Sequence, residues 1–416
     1  MPQREVQQPA PAAQPACRFC GGTHLHAVLD LGMSPLANAY RSEAQLLQPE
    51  TFYPLRAVLC ESCFLMQLTS SPPPTELFQD YRYFSSFSAT MSQHARAYAE
   101  MAASRFGLSP QSLVVEIASN DGYLLRYFKE RSIPVLGIEP ARTVAEAAMH
   151  HHGIPTLTRF FGLALAQELK AKGQRADLVV ANNVLAHVPD PNDFVAGIAC
   201  LLSERGVVTV EFPDVASLLD EGQFDTIYHE HCSYLSLQSA ERMFRRHGLT
   251  VFDVDKIGVH GGSLRLYACR DGTQAVSLRV ASLRDPALEH AAAYEALAQK
   301  AHAIKRDLLG FLIEAKRQSK RLCAYGAPAK GNTLLNFCGI RTDFLDFTVD
   351  ISPHKQGLYL PGSGIPILAP EALKKEKPDY VLILPWNLKN EIMHEHAYIR
   401  DWDGHFVLAI PQLEIC

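Results

Sequence analysis

The sequence predicts an α/β protein of several units: a small four-cysteine module, a doubly wound parallel sheet, and a second, smaller α/β unit at the C-terminal end. Three observations carry that expectation. Four of the 10 cysteines stand as two Cys-x-x-Cys pairs near the start. Short apolar runs then alternate with helix-like stretches through the middle of the chain, as buried parallel strands with crossover helices require. The same alternation resumes after a long segment rich in Ala, Leu, Glu and Lys. A chain of 416 residues is also too long for one ordinary domain.

Composition narrows the function classes. Hydrophobic residues at 47% and charged residues at 20% are ordinary globular values and exclude a disordered or fibrous chain. A net charge of −5 opposes an extended nucleic-acid surface. No run approaches the roughly 20 apolar residues of a membrane span. Neither nucleic acid nor membrane is therefore an expected partner, and a monomer is expected. Residues 1–16 are rich in Pro, Gln and Ala, lack the apolar core of a secretory signal, and read as a disordered tail. Without an export signal the expected compartment is the reducing cytoplasm, where paired cysteines are metal ligands and not disulfides.

The first unit spans residues 17–74 and holds Cys17, Cys20, Cys60 and Cys63. Each Cys-x-x-Cys turn offers two thiolates to one tetrahedral ion, and two such turns complete a four-thiolate zinc site. A site closed by four thiolates has no open position, so this zinc is structural. Ser70-Ser71-Pro72-Pro73-Pro74 then reads as a stiff linker.

The middle unit spans residues 75–310. Strand-like runs lie at Leu113–Ile117, Val135–Ile138, Asp177–Ala181 and Val207–Phe212, with helical stretches at Val144–His152 and Leu163–Lys172. The first strand carries Glu116 and runs into a small-residue turn, Ala118-Ser119-Asn120-Asp121-Gly122, followed by a helix from Tyr123 to Glu130. Small residues let a ligand approach the backbone. The glycine spacing is not Gly-x-Gly-x-x-Gly, which opposes a dinucleotide fingerprint. The second strand ends at Glu139-Pro140, where an acid can accept both hydroxyls of a ribose. The third runs into Asn182-Asn183 and on to His187.

Further along, Tyr228-His229-Glu230-His231 packs two histidines, a carboxylate and a phenol together, a composition suited to general acid–base work near neutral pH. Tyr81, Tyr83 and Ser85 either close over a sugar or nucleotide or pack a helix on the sheet. His260-Gly261-Gly262-Ser263-Leu264-Arg265 looks like a strand entered through a glycine turn, with Ser263 and Arg265 placed to face a ligand.

Pro286 to Ser319 reads as one long helix or a broken pair. The third unit, residues 311–416, has strand-like runs at Leu322–Tyr325, Phe347–Asp350, Tyr380–Leu384 and Phe406–Ile410. Its first strand enters Gly326-Ala327-Pro328-Ala329-Lys330-Gly331-Asn332, a turn into a helix start whose amides suit phosphate, with Lys330 adding charge. Lys355 follows the second strand and is another phosphate candidate. The Walker order is missing.

The three stations of the middle unit resemble a class I S-adenosylmethionine-dependent methyltransferase, with Ala118 where that class carries glycine. Taken in order, the cysteine pairs, Val115–Gly122, Tyr228–His231, Gly261–Arg265 and Tyr325–Asn332 resemble the nucleotide-diphosphate 4-keto-6-deoxysugar 3-C-methyltransferases over nearly the whole chain from Cys17. The resemblance implies a zinc module that helps to cover the substrate and a Rossmann-like domain that binds S-adenosylmethionine through Glu116, Ala118, Ser119, Asn120, Gly122, Tyr123, Glu139, Pro140, Asn182, Asn183 and His187. It implies a C-terminal Rossmann-like domain that helps to hold a nucleotide-diphosphate sugar. Tyr81, Tyr83, Ser85, Ser263, Arg265, Lys330, Asn332 and Lys355 are the residues expected at that substrate. The resemblance carries the base to His231, assisted by Tyr228 and Glu230; the residues alone leave open whether His229 or His231 is the base. The residues alone leave open a hydroxyl or amine acceptor, and a nicotinamide-dependent nucleotide-sugar oxidoreductase. They also place the zinc module apart from the chemistry.

Overall fold

The computed structural model describes residues 16–73, 77, 86, 89–258 and 261–416. Three sheets organise it. The first begins with β1 (Leu25–Ser34), β2 (Tyr53–Cys60) and β3 (Met66–Leu68), an antiparallel meander carrying both cysteine pairs at one end. The second is the central sheet. Its parallel strands are β4 (Val114–Ile117), β5 (Val135–Ile138), β6 (Thr156–Leu157), β7 (Ala176–Asn182) and β8 (Leu202–Pro213). Next in the chain is β9 (Ser233–Tyr234), which returns to the first sheet and pairs with β3. The central sheet is then completed by β10 (Leu249–Ile257) and β11 (Ser263–Arg270), with β11 antiparallel to both neighbours, giving the order β10-β11-β8-β7-β4-β5-β6. That is a doubly wound sheet ending in a reversed strand beside its edge.

The central strands read as apolar runs because both faces are covered. Val115, Val179 and Val208 lie on one face, under the helices Leu163–Ala171 and Pro191–Leu201; Val114, Val180 and Val207 lie on the other, under Ala89–Arg105. The expected strands are present with ends shifted by one to a few residues. The helix expected from Tyr123 starts at Leu125, since the left-handed backbone at Asn120 and Gly122 delays it.

The long segment is a short 3-10 turn, Pro286–Glu289, and then one helix, Ala292–Arg317. Its buried stripe of Leu297, Ile304, Leu308 and Leu312 shares one core with β1, β2 and the third sheet, so the helix ties the cysteine module to the C-terminal unit. The third sheet contains β12 (Leu322–Tyr325), β13 (Thr348–Val349), β14 (Ile367–Leu368), β15 (Tyr380–Ile383), β16 (His405–Leu408) and β17 (Glu414–Ile415). Its order is β14-β13-β12-β15-β16-β17, parallel except for the last pair. Among the described residues no helix is long and apolar enough to cross a membrane.

Candidate active site

The metal module is compact. Cys17 Sγ lies 3.5 Å from Cys63 Sγ and Cys20 Sγ 3.5 Å from Cys60 Sγ. All four sulfurs fall within 4.8 Å of one another. Sulfurs held about 2.3 Å from a tetrahedral zinc sit some 3.8 Å apart, so this donor set fits that ion and leaves no coordination site open.

At the carboxyl ends of β4, β5 and β7 the chain builds a polar cradle. Glu139, at the tip of β5, is buried and accepts backbone N–H groups from Asn120 (3.0 Å) and Ala141 (2.8 Å). Burial raises its pKa and those two donors pull it back. The loop after β4 is folded over this carboxylate. Ala118 and Asn120 take φ of 56° and 50°, a left-handed backbone that costs a non-glycine residue about 1 kcal/mol each. Gly122, at φ 77°, packs so that a Cβ would lie 3.0 Å from Ile154. Glu116 is buried beneath, and desolvation, reinforced by Asp121 and Glu139, raises its pKa well above the ordinary carboxylate value.

Buried side-chain atoms of Glu116, Ser119, Asp121, Asn182 and Asn183 have no hydrogen-bond partner among the described residues. Unpaired buried polar atoms are costly. Their convergence at the ends of the neighbouring strands β4 and β7, beside Glu139 on β5, fits a polar ligand such as S-adenosylmethionine, which supplies an electrophilic methyl group when bound. Tyr123 is buried in the turn just before the following helix, and Pro140 lies beside Glu139.

The Tyr228–His231 motif lies where the three sheets meet. His231 Nδ1 is 2.8 Å from the Thr226 carbonyl, and its Nε2 is 2.8 Å from the Tyr228 hydroxyl. A carbonyl can only accept, so Nδ1 carries the proton and Nε2 presents its lone pair to the Tyr228 O–H. His187 packs edge-on to His231, ring centroids 4.7 Å apart. Burial lowers the His187 pKa to about 4, so this ring stays neutral and does not oppose charge on His231.

The two remaining motif residues face the cysteine module. Glu230 is buried, and Asn38 Nδ2 donates to both its oxygens at 2.7 and 2.9 Å. Burial pushes its pKa up to about 7 against the pull of Asn38. His229 is buried, donates from Nε2 to the Pro54 carbonyl on β2, and packs edge-on to Tyr53. It therefore serves the seam between β2 and the motif, while His231 is half-buried and packs on His187.

The other expected substrate residues are dispersed. Tyr81, Tyr83, Ser85 and His260 lie outside the described residues. Ser263 opens β11 and is fully buried. Arg265 donates from Nε to Glu211 at 2.6 Å, and His94 reaches the other Glu211 oxygen at 3.0 Å. Burial alone would raise Glu211, but His94 and Arg265 outweigh it and hold the carboxyl below its ordinary range. This cluster borders a cavity of about 420 Å³. Lys330 turns towards Trp386 and bonds to Asn387 at 2.9 Å. The Asn332 amide donates to the Ala37 carbonyl at 2.6 Å. Lys355 donates to the Ala327 carbonyl at 2.9 Å, beside Asp350. Asp350 in turn accepts the Ala327 and Ser352 N–H groups, the pattern Glu139 shows in the central sheet.

Sequence reasoning passed over Asn38, Tyr40, Asp225 and Trp386, all of which meet at this junction. Asn38 and Tyr40 sit in a loop with no periodicity to mark them. Trp386, one of only two tryptophans, was the available signal.

The fold and this cradle define a class of protein: a class I S-adenosylmethionine-dependent methyltransferase with an added four-cysteine module and a second α/β sheet. Residues 17–78 match a domain described as zinc-binding, residues 87–254 a methyltransferase domain, and residues 258–411 a C-methyltransferase C-terminal domain. The chain belongs to the C-methyltransferase family, being 34% identical over 401 residues to the C-methyltransferase NovU of Streptomyces niveus, across 95% of both chains. The ubiquinone biosynthesis O-methyltransferase of Bartonella quintana is 24% identical over 161 residues, 35% of this chain and 62% of that protein. Among solved structures, magnesium protoporphyrin IX methyltransferase of Synechocystis PCC 6803 with bound SAM aligns with 43% of this chain and 79% of its own, at 15% identity and a TM-score of 0.34. A likeness that loose carries no argument about function.

Proposed function

We propose that this C-methyltransferase methylates C-3 of a nucleotide-diphosphate-linked 4-keto-6-deoxysugar through an enolate. The observation that carries the reading is the Tyr228–His231 pair, with the His231 lone pair on Nε2 and its ring packed on His187, in the turn that follows β7. Carbon methylation needs a carbon nucleophile. An imidazole of ordinary basicity can remove a carbon-bound proton only where a neighbouring carbonyl acidifies it. A 4-ketone does that for C-3.

In this reading Nε2 of His231 takes the C-3 proton. The Tyr228 hydroxyl, released from Nε2, donates to the enolate oxygen. Glu230, pinned by Asn38, fixes the motif against the cysteine module. Neutral His187 leaves room for the imidazolium. Glu139 accepts the cofactor ribose hydroxyls, and the loops of the third sheet around Ala327 and Lys355 offer the diphosphate its ground. The family resemblance and the NovU match support carbon as the acceptor; the nucleotide and sugar rest on the resemblance.

Incubation with S-adenosylmethionine and thymidine-diphosphate 4-keto-6-deoxyglucose is the test. A product whose NMR spectrum shows a new methyl on a quaternary C-3 is expected. A methyl on oxygen or nitrogen would overturn the reading. Glu139→Gln keeps an acceptor for the loop but loses the charge. Charge-assisted hydrogen bonds are worth about 1.5–3 kcal/mol, so calorimetric S-adenosylmethionine affinity should fall about 10- to 100-fold. A change below about threefold would remove Glu139 from the ribose site.

A further inference from the structure

We propose that Asp225 and Trp386 are positioning residues for the base, the C-terminal unit setting the His231 tautomer through the turn that holds Thr226. The proposal rests on the reading of His231 as the base. The turn is one turn of 3-10 helix, Phe224–Thr226, separated from the motif by Ile227. Its last carbonyl, that of Thr226, receives the Nδ1–H of His231 at 2.8 Å. Any tilt of that carbonyl releases Nδ1 and allows the proton to move to Nε2, which ends basicity at the working nitrogen.

Two ties from the C-terminal unit flank this carbonyl. The Trp386 indole N–H donates to Asp225 Oδ2 at 2.7 Å, with both residues buried. The Thr333 hydroxyl, on the helix Ala329–Cys338, donates to the Ile227 carbonyl at 3.2 Å. One residue on each side of Thr226 is thus held by the far unit. The tryptophan cannot turn away easily. Lys330 Nζ lies 4.3 Å from its ring centroid on one side. Gly261, at φ 87°, approaches so closely that a Cβ there would fall 2.4 Å from the ring.

The chemistry of Asp225 is unusual for a residue that merely closes a turn. It is fully buried, and its Oδ1 has no hydrogen-bond partner among the described residues. Burial raises its pKa to about 6 against the pull of Lys330 and the indole N–H. Burying a half-satisfied carboxyl is an expensive way to hold a backbone. A role beyond stability accounts for it: the acceptor for Trp386 stands next to the carbonyl that the base depends on.

The test uses the zinc-loaded full chain labelled with 15N-histidine. Long-range 1H–15N correlation distinguishes the two tautomers without any substrate, and His231→Gln identifies the signals. Wild type should show the Nδ1–H form. Trp386→Phe keeps the ring and loses the N–H; His231 should then populate the Nε2–H form. Exchange of the C-3 proton of thymidine-diphosphate 4-keto-6-deoxyglucose in D2O should slow tenfold or more with KM unchanged. A wrong tautomer at a catalytic histidine can cost up to about 10⁴-fold. Asp225→Ala should behave like Trp386→Phe, and Asp225→Asn, which keeps an acceptor oxygen, should restore exchange to within about threefold of wild type.

Calorimetric S-adenosylmethionine binding reports whether each variant has folded. Thr333→Val, the tie on the other flank, stands in for any variant that has not. An unchanged Nδ1–H tautomer in folded Trp386→Phe and Asp225→Ala would overturn the proposal. Tautomer changes as described, with no sugar exchange even in wild type, would support the positioning role and sink the sugar reading instead.

Discussion

Replacing His231 by Ala is expected to lower methyl transfer about 10²- to 10⁴-fold, the usual contribution of a general base. The cofactor cradle does not include this side chain, so calorimetric affinity for S-adenosylmethionine should stay within about threefold of wild type. The contrast matters because His229 stands two residues away and differs in kind. It is buried, bonded to Pro54 and packed on Tyr53 at the cysteine module. His229→Ala should therefore lower thermal stability more than the exchange rate of folded protein. Proton exchange at C-3 in D2O separates the two variants, because it needs neither the methyl group nor product release. Full exchange in His231→Ala would sink the assignment of the base.

Removing zinc should be the more destructive change. Structural zinc contributes about 10–16 kcal/mol of apparent folding free energy in zinc-finger peptides, against about 5–15 kcal/mol for the stability of a whole domain. Metal loss is thus enough to unfold the cysteine module. The sequence suggested that the chemistry would be spared. The structure argues otherwise, because β9 directly follows the motif and is the edge strand of the module's own sheet. Asn38 of that module also carries both hydrogen bonds to Glu230. Exhaustive chelation, with zinc measured by elemental analysis, should abolish C-3 exchange along with methyl transfer. A metal-free protein that still exchanges the proton would show that the motif holds its shape unaided.

The contrast marks what the sequence can display. The cysteine pairs were legible because a tetrahedral ion demands particular residue types at fixed short spacing. The strands of the central and third sheets were legible because burial on both faces leaves runs of Val, Ile and Leu. The cradle residues were legible because a strand end, a small-residue turn and an acid one strand later are local patterns.

What escaped is long-range. Asn38 and Glu230 are 192 residues apart, and Asp225 and Trp386 are 161 apart. No local rule links such pairs. A two-residue strand such as Ser233–Tyr234 is too short to show any period. Arg265 looked like a ligand contact because its partner, Glu211, is brought beside it only by the pairing of β11 with β8. Lys330 looked like a phosphate ligand from its place at a helix start, yet its ammonium lies on Trp386 and Asn387. Charge and spacing reveal what a residue can do, while the partner that has already engaged it is fixed by topology.

The return of β9 to the first sheet also orders events on the ribosome. The cysteine module emerges first and can take up its metal at once, but β3 then presents an open edge. That edge is closed only after β4 to β8 have been synthesised. Until then the nascent chain carries one unpaired edge along Met66, Gln67 and Leu68, the kind of edge on which chains aggregate. The arrangement that couples the module to the active site leaves that edge exposed while the whole parallel part of the central sheet is being made.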